Sequence, residues 1–147
     1  MLSHESIDEL REVLIDEPQL TTYGFGRYDD QRYVDRNLGS VDDRVSEFIA
    51  RANDAGDPWE ICGELMQSFK PSHSPRFTSV VWKHRAERLS RELNDPLYVP
   101  EGLFLARCLF DGVTIARLHR DPSAFVGLSC RFADVPANRK RLLKTII

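Results

Sequence analysis

Apolar residues recur along most of the chain at spacings of three and four, punctuated by capping residues and prolines, and this pattern predicts a mainly helical molecule. Ile7, Leu10, Val13 and Leu14 make the first stripe. Ser6 with Glu9 three residues on has the spacing of a capping box, in which each side chain satisfies a free amide of the other. The first helix is therefore expected to start there and to close before Pro18. Ser40 with Asp43 announces a second helix, with Val41, Val45, Phe48, Ile49 and Ala52 on one face and Gly56 past its end. In "DPWE", Asp57 can cap, Pro58 fits the first helical position and Glu60 completes the box. Ile61, Cys62, Leu65, Met66 and Phe69 supply the apolar side of this third helix.

After the proline-rich loop "KPSHSPR" at 70–76, a fourth helix is expected from about Phe77 to Leu93. Trp82, Ala86, Leu89 and Leu93 face inward, and His84, Arg88 and Arg91 lie on the opposite side. "PEGLFLARCLF", from Pro100, is apolar on nearly every side, which predicts a helix buried all round. Asp111-Gly112 breaks it, and the period then falls to two. Val113 and Ile115 on an outgoing strand match Ala124, Val126, Leu128, Cys130 and Phe132 on the return strand. Arg117 and His119 continue the alternation past its apolar part, so the hairpin should project from the core at a cationic tip. An isolated hairpin is marginal, and "TTYGF" at 21–25 is the candidate third strand. "DVPANRKRLLKTII" predicts a short last helix, capped by Asp134 and docked by Leu142, Leu143 and Ile146. The expected fold is α+β, mainly α. About six helices and a C-terminal-half antiparallel β-hairpin would form a single globular domain over 1–147.

Composition narrows the class. Hydrophobic and charged contents of 41% and 29% are those of a globular chain. No apolar run approaches the roughly 20 residues of a spanning helix, and "MLSHESIDEL" lacks the basic-then-apolar order of a signal peptide. A cytoplasmic protein without membrane contact is the expectation. Cys62, Cys108 and Cys130 sit among apolar residues at wide spacing and read as buried thiols in a reducing compartment.

The net charge of −3 hides a division. Residues 1–69 carry sixteen Asp and Glu against six Lys and Arg, whereas residues 70–147 carry seven against fourteen. Either the halves neutralise each other within the fold, or one meets a partner of opposite sign.

Two groups of residues are candidates for contact. The basic group comprises Arg88 and Arg91, with Lys83 and Arg85 on the same helix; Arg117, His119 and Arg120 at the hairpin tip; and Arg139, Lys140, Arg141 and Lys144 at the end. Phosphates ask only for point charges on a common face, so this set suits non-sequence-specific nucleic-acid binding. The second group is "YGFGRYDDQRYVDR", where Tyr23, Phe25, Tyr28 and Tyr33 interleave with Arg27, Arg32 and Arg36 in a composition suited to stacking or to a protein hot spot. Its Gly-x-Gly lacks the third glycine of a phosphate cradle.

A helix followed by a hairpin is similar in element order to a winged helix-turn-helix. The helix before the wing would read bases there, and "EGLFLARCLF" is too apolar for a wet, anionic groove. Catalytic signals are thin. "HRD" at 119–121 lacks the other parts of a kinase site, and His4, His73, His84 and His119 are scattered without a metal-binding pattern. Ser129 or Cys130 as a nucleophile would need His84 or His119 as its base. The sequence thus points to a non-catalytic binding or regulatory protein with no cofactor and no metal. Its partner would be nucleic acid or a nucleic-acid-associated protein complex, with an inhibitor or adaptor of a larger assembly as the alternative and a small enzyme without a recognisable motif as the second. In the first alternative, Asp42, Asp43 and Glu47 on the second helix would share the contact with the Tyr/Arg loop.

Overall fold

The computed structural model describes residues 1–29, 32–34 and 39–147, with 27–29 and 32–34 described by their backbone alone. Helix α1 (His4–Asp16) begins one turn earlier than the capping spacing suggests. Ser3 is its cap and accepts from the Ser6 amide at 3.0 Å. Ser6 is buried and spends its hydroxyl on Asp57, 2.6 Å away, so it fastens α1 to the start of the third helix.

Two short hairpins follow: β1 (Leu20–Thr21) with β2 (Gly24–Phe25), and β3 (Arg27–Asp29) with β4 (Arg32–Val34). Helices α2 (Val41–Arg51) and α3 (Pro58–Ser68) start where the caps place them. The Ser40 hydroxyl accepts from the Asp43 amide at 3.1 Å, and the Asp57 carboxylate accepts from the Trp59 amide at 2.9 Å. Arg44 leaves the polar face of α2 and is buried at the C-terminal end of α1. It donates to the carbonyls of Leu14, Glu17 and Leu20 at 2.9, 2.8 and 3.1 Å. Those carbonyls have no helical partner, so one guanidinium closes the end of α1 and ties it to α2.

The chain then pairs where a loop is expected. Strand β5 (Phe69–Pro71) runs straight out of α3, ahead of α4 (Ser79–Glu92) and α5 (Glu101–Asp111). Strand β6 (Ile115–Arg117) pairs antiparallel with β7 (Ala124–Val126) in the register Ile115↔Val126. At Gly127 the return strand changes partner, and β8 (Leu128–Phe132) pairs with β5. The third strand thus comes from 69–71. The 21–25 segment folds on itself as β1–β2 and reaches the tip of the β6–β7 hairpin through one backbone bond, Phe25 N–H to Pro122 C=O at 2.9 Å. Helix α6 (Ala137–Lys144) ends the chain with Leu143 and Ile146 buried; Pro136 occupies its cap position, and exposed Asp134 makes no cap bond. The fold is α+β and mainly α, as the periodicities indicate. Among the described residues no helix is long and apolar enough to cross a membrane.

Two apolar clusters flank α5. One gathers α1, β1, β2 and α2 with Trp59, Leu103 and Ala106; the other gathers α3, α4, β7, β8 and α6 with Phe104 and Cys108. Residues 102–108 are all buried. Close approach sets the glycines here. A Cβ on Gly102 would lie 1.6 Å from the Thr21 carbonyl oxygen, and one on Gly63 would strike the Arg107 guanidinium at 2.5 Å. Arg107 in turn lies between Asp111 (3.1 Å) and the Trp59 carbonyl (3.2 Å).

Cysteine placement departs from expectation at one position. Cys62 and Cys108 are fully buried, and burial pushes both thiols well above their usual range. Cys130 is exposed although it lies on β8 between buried Leu128 and half-buried Phe132, whose ring packs on Phe69 at 5.8 Å.

Replacing Gly102 with Ala is expected to cost roughly 2–3 kcal/mol, since backbone must move on both sides of the contact. Arg44→Met, which leaves three carbonyls without their donor, should cost about 3 kcal/mol. Urea unfolding followed by circular dichroism measures both, and a loss below about 0.5 kcal/mol in either would contradict the corresponding contact.

A candidate anion-binding face

Helix α6 is held at two places. Arg139 reaches Glu64 on α3 at 3.6 Å, and Arg88 on α4 donates to the Ile146 carbonyl at 3.2 Å. With Leu143 and Ile146 turned inward, Lys140, Arg141 and Lys144 face solvent. On α4, the burial of Trp82, Ala86 and Leu89 turns His84, Arg88 and Arg91 outward. The Arg88 bond reaches the residue two past the end of α6, and α4 and α6 are in contact. Five exposed cations, Arg88, Arg91, Lys140, Arg141 and Lys144, lie on these two helices.

Other cations of the second half are taken up inside the fold. Lys83 donates to the Val99 carbonyl at 3.2 Å and lies 3.8 Å from Glu87, with its ammonium 4.8 Å from the Tyr98 ring centroid. Arg85 is buried between Phe77 and Trp82. Arg139 is half-buried in its bridge to Glu64 and leaves the outward set. Among the ion pairs of the described residues, Arg139–Glu64 is the one that joins the acidic half to the basic half.

The hairpin tip belongs to a different place. It does not project, because three contacts fold it onto the N-terminal part of the molecule. Pro122 accepts the Phe25 amide. The Arg117 guanidinium lies 4.3 Å from the Phe25 ring centroid and 3.4 Å from the Gln19 amide oxygen. The Ser123 hydroxyl, finally, donates to Glu101 at 2.6 Å. His119 and Arg120 remain exposed in the turn, where Arg120 adopts a left-handed φ of 53°. Strand β7 meets the first turn of α4 through the bond from the Ala124 amide to the Ser79 hydroxyl at 3.1 Å. Arg88 and Arg91 lie a further nine and twelve residues along that helix, about 14–18 Å away. The predicted basic surface thus divides into an α4–α6 face and a separate tip.

The aromatic group divides too. Phe25 is 1% exposed and offers no stacking surface; it carries the tip instead. Tyr23 is 59% exposed, with the Arg51 guanidinium 4.3 Å above its ring and bonded to its hydroxyl. The side chains of Arg27, Tyr28, Arg32 and Tyr33, and all of Asp30 and Arg36, lie outside the described residues.

The catalytic arrangements do not assemble. "HRD" is a turn in which the Asp121 carboxylate accepts the Ser123 amide at 2.8 Å. Ser129 gives its hydroxyl to the Lys70 carbonyl and His84 pairs with Glu87 at 2.9 Å, so no hydrogen bond among the described residues joins Ser129 or Cys130 to a histidine. No group of His, Cys, Asp and Glu among the described residues could hold a metal ion. Two clefts flank α3, of about 290 and 230 Å³. Glu64, Asp134 and Arg139 line the first, whereas Asp57, Glu60, Glu64 and Asp95 line the second, which has no cation and does not suit an anionic small molecule. What the arrangement offers is a set of exposed positive charges on two contacting helices. No family model, curated protein or solved structure matches this chain.

One titratable group is perturbed where the tip is fastened. Burial raises Glu101 above the usual carboxylate range, opposed by the Ser123 hydroxyl, then by Lys83 and His84, and reinforced by Asp121. A carboxyl raised in the fold favours the protonated state there. The stability this contributes is complete below the ordinary value of 4.5 and is lost as pH rises through the folded value. Gln at 101 cannot ionise, yet it still accepts the Ser123 hydroxyl. Glu101→Gln should therefore gain on the wild type as pH rises above 4.5 and hold that gain once pH passes the folded value. Parallel urea melts from about pH 4 to about pH 7 test the sign, and an advantage that shrinks with rising pH would contradict it.

Proposed function

We propose that this is a non-catalytic binding protein whose α4–α6 face engages the phosphate backbone of nucleic acid without reading its sequence. The supporting observation is the contact of α6 with α4, tied by the bond from Arg88 to the Ile146 carbonyl, which puts five outward cations on two contacting helices. Glu92 is an exposed carboxylate on the outer side of α4, and the acidic α1 and α2 belong to the other apolar cluster. Phosphate contacts of this kind release condensed counterions, so affinity falls with salt in proportion to the contacts made. The cytoplasm is the compartment in which such a partner would be met.

A second reading rests on Tyr23. An exposed aromatic fixed by a guanidinium over its ring is the type of side chain on which protein interfaces concentrate their energy. In that reading the chain is an inhibitor or adaptor of a nucleic-acid-associated complex.

Fluorescence anisotropy of short labelled DNA and RNA, single and double stranded, between about 50 and 200 mM salt separates the two. For the nucleic-acid reading, a log–log slope of about −4 to −5 is expected for five contacts. Arg141→Ala and Lys144→Ala should each weaken binding on every sequence and reduce the slope by about one, while Arg120→Ala at the distant tip stays within about twofold. Flat titrations at low salt would refute this reading. Loss of a captured protein complex on Tyr23→Ala, with Arg141→Ala unaffected, would establish the second.

A further inference from the structure

Cys130 is exposed, and its sulfur lies over a guanidinium. Arg85 Nη1 is 3.7 Å from Cys130 Sγ. That arginine is 8% exposed, and its Cζ is 4.6 Å from the ring centroids of both Phe77 and Trp82. Its Nε is buried without a hydrogen-bond partner, and among the described residues no carboxylate pairs with it. A buried cation is ordinarily held by an anion or by several carbonyls, as Arg107 and Arg44 are here. Arg85 has two aromatic faces and a thiol. Its uncompensated charge is directed at the one exposed thiol among the three cysteines.

We propose that Cys130 is a modification site for small disulfides that carry carboxylates, of the glutathione type, with Arg85 drawing the anionic reagent to the sulfur. The Cys130 thiol gives its proton to solvent, and the sulfur attacks one sulfur of the incoming disulfide. A new S–S bond to Cys130 forms as the old one breaks, and the departing half leaves as a thiolate that carries the electron pair. Cys130 is oxidised by the amount that the leaving sulfur is reduced, and excess small thiol reverses the step. Cys62 and Cys108, fully buried, stay out of it.

The test compares two probes on the intact, folded chain: anionic dithiobis-nitrobenzoate and neutral dipyridyl disulfide. One thiol per chain should react, and Cys130→Ser should abolish the reaction. The anionic-to-neutral rate ratio should drop roughly five- to tenfold in Arg85→Gln and hold within about twofold in Arg85→Lys. Taking the ratio within each variant cancels differences in exposure of the sulfur. The wild type supplies a check without mutation, since its ratio should fall as salt rises from about 50 to 500 mM. Glutathione disulfide should then give a single adduct in the intact mass, removed by dithiothreitol. A ratio unchanged by Arg85→Gln or by salt would overturn the proposal, as would labelling that appears only on unfolding.

Discussion

The structure depends on burying a helix that has no side suited to water. Helix α5 carries apolar residues around its whole circumference, so neighbours must cover it from every direction. Helices α1, α3 and α4 and the β1–β2 hairpin do so, and each brings its own stripe to one of two apolar clusters that meet at α5. Its charged residues, Glu101, Arg107 and Asp111, are absorbed at this contact. Arg107 crosses the space left by Gly63 to reach the Trp59 carbonyl, and Glu101 takes the hydroxyl of Ser123. The same constraint sorts the charge. The first two helices pack to one cluster and turn their acids outward there, whereas α4 and α6 belong to the other and turn out their bases. A division along the sequence becomes a division between surfaces because α5 separates the elements that carry it.

Features governed by local chemistry could be read from the sequence. The caps at Ser40 and Asp57, the inward stripe of α4 and the burial of α5 over 102–108 follow from spacing and side-chain type, and the structure has them. Features governed by a distant partner could not. Ser6 has the form of a cap, but Asp57, fifty-one residues away, claims its hydroxyl. Alternation puts Cys130 in line with Leu128 and Phe132, yet nothing local says that the core leaves the position between them uncovered. Alternation also carries Arg117 past the apolar part of its strand. That it folds down onto Phe25 depends on β1–β2 lying beneath it, a tertiary fact. Strand β5 was hidden because its three residues follow α3 directly and their ladder partner is nearly sixty residues away.

Much of the difference between the predicted and the observed basic surface comes from long side chains with apolar stems. Arginine and lysine can leave the direction their Cα sets and cover apolar surface or reach a carbonyl. Arg44, Arg85 and Arg107 all do so, and each reaches a different solution: three helix-end carbonyls, two aromatic rings with a sulfur, and a carboxylate with a carbonyl. Periodicity placed Arg88 and Arg91 correctly because the bulk of Trp82, Ala86 and Leu89 fixes which side of α4 is wet. It could not separate them from Lys83 and Arg85 on the flanks of that helix, where a small rotation about the side chain decides between solvent and interior.

Counting charges by sequence half therefore overstates the basic surface and understates the acidic one. Arg44 is a cation of the acidic half, and its burial leaves α1 and α2 with still less to offset their carboxylates. Arg85 and Arg107 are cations of the basic half, and their burial removes charge from the side that would meet phosphate. Lys70, Arg76 and Arg131 also stay exposed, but the five outward cations of α4 and α6 sit on regular helices tied by an arginine-to-carbonyl bond. Charges fixed by helical spacing keep their mutual distances when a partner binds, so less side-chain and backbone freedom is lost than on a mobile loop. This favours the α4–α6 face over the hairpin tip as the primary surface. The tip's exposed residues, His119 and Arg120, occupy a turn, and its best-placed cation, Arg117, already lies against Phe25.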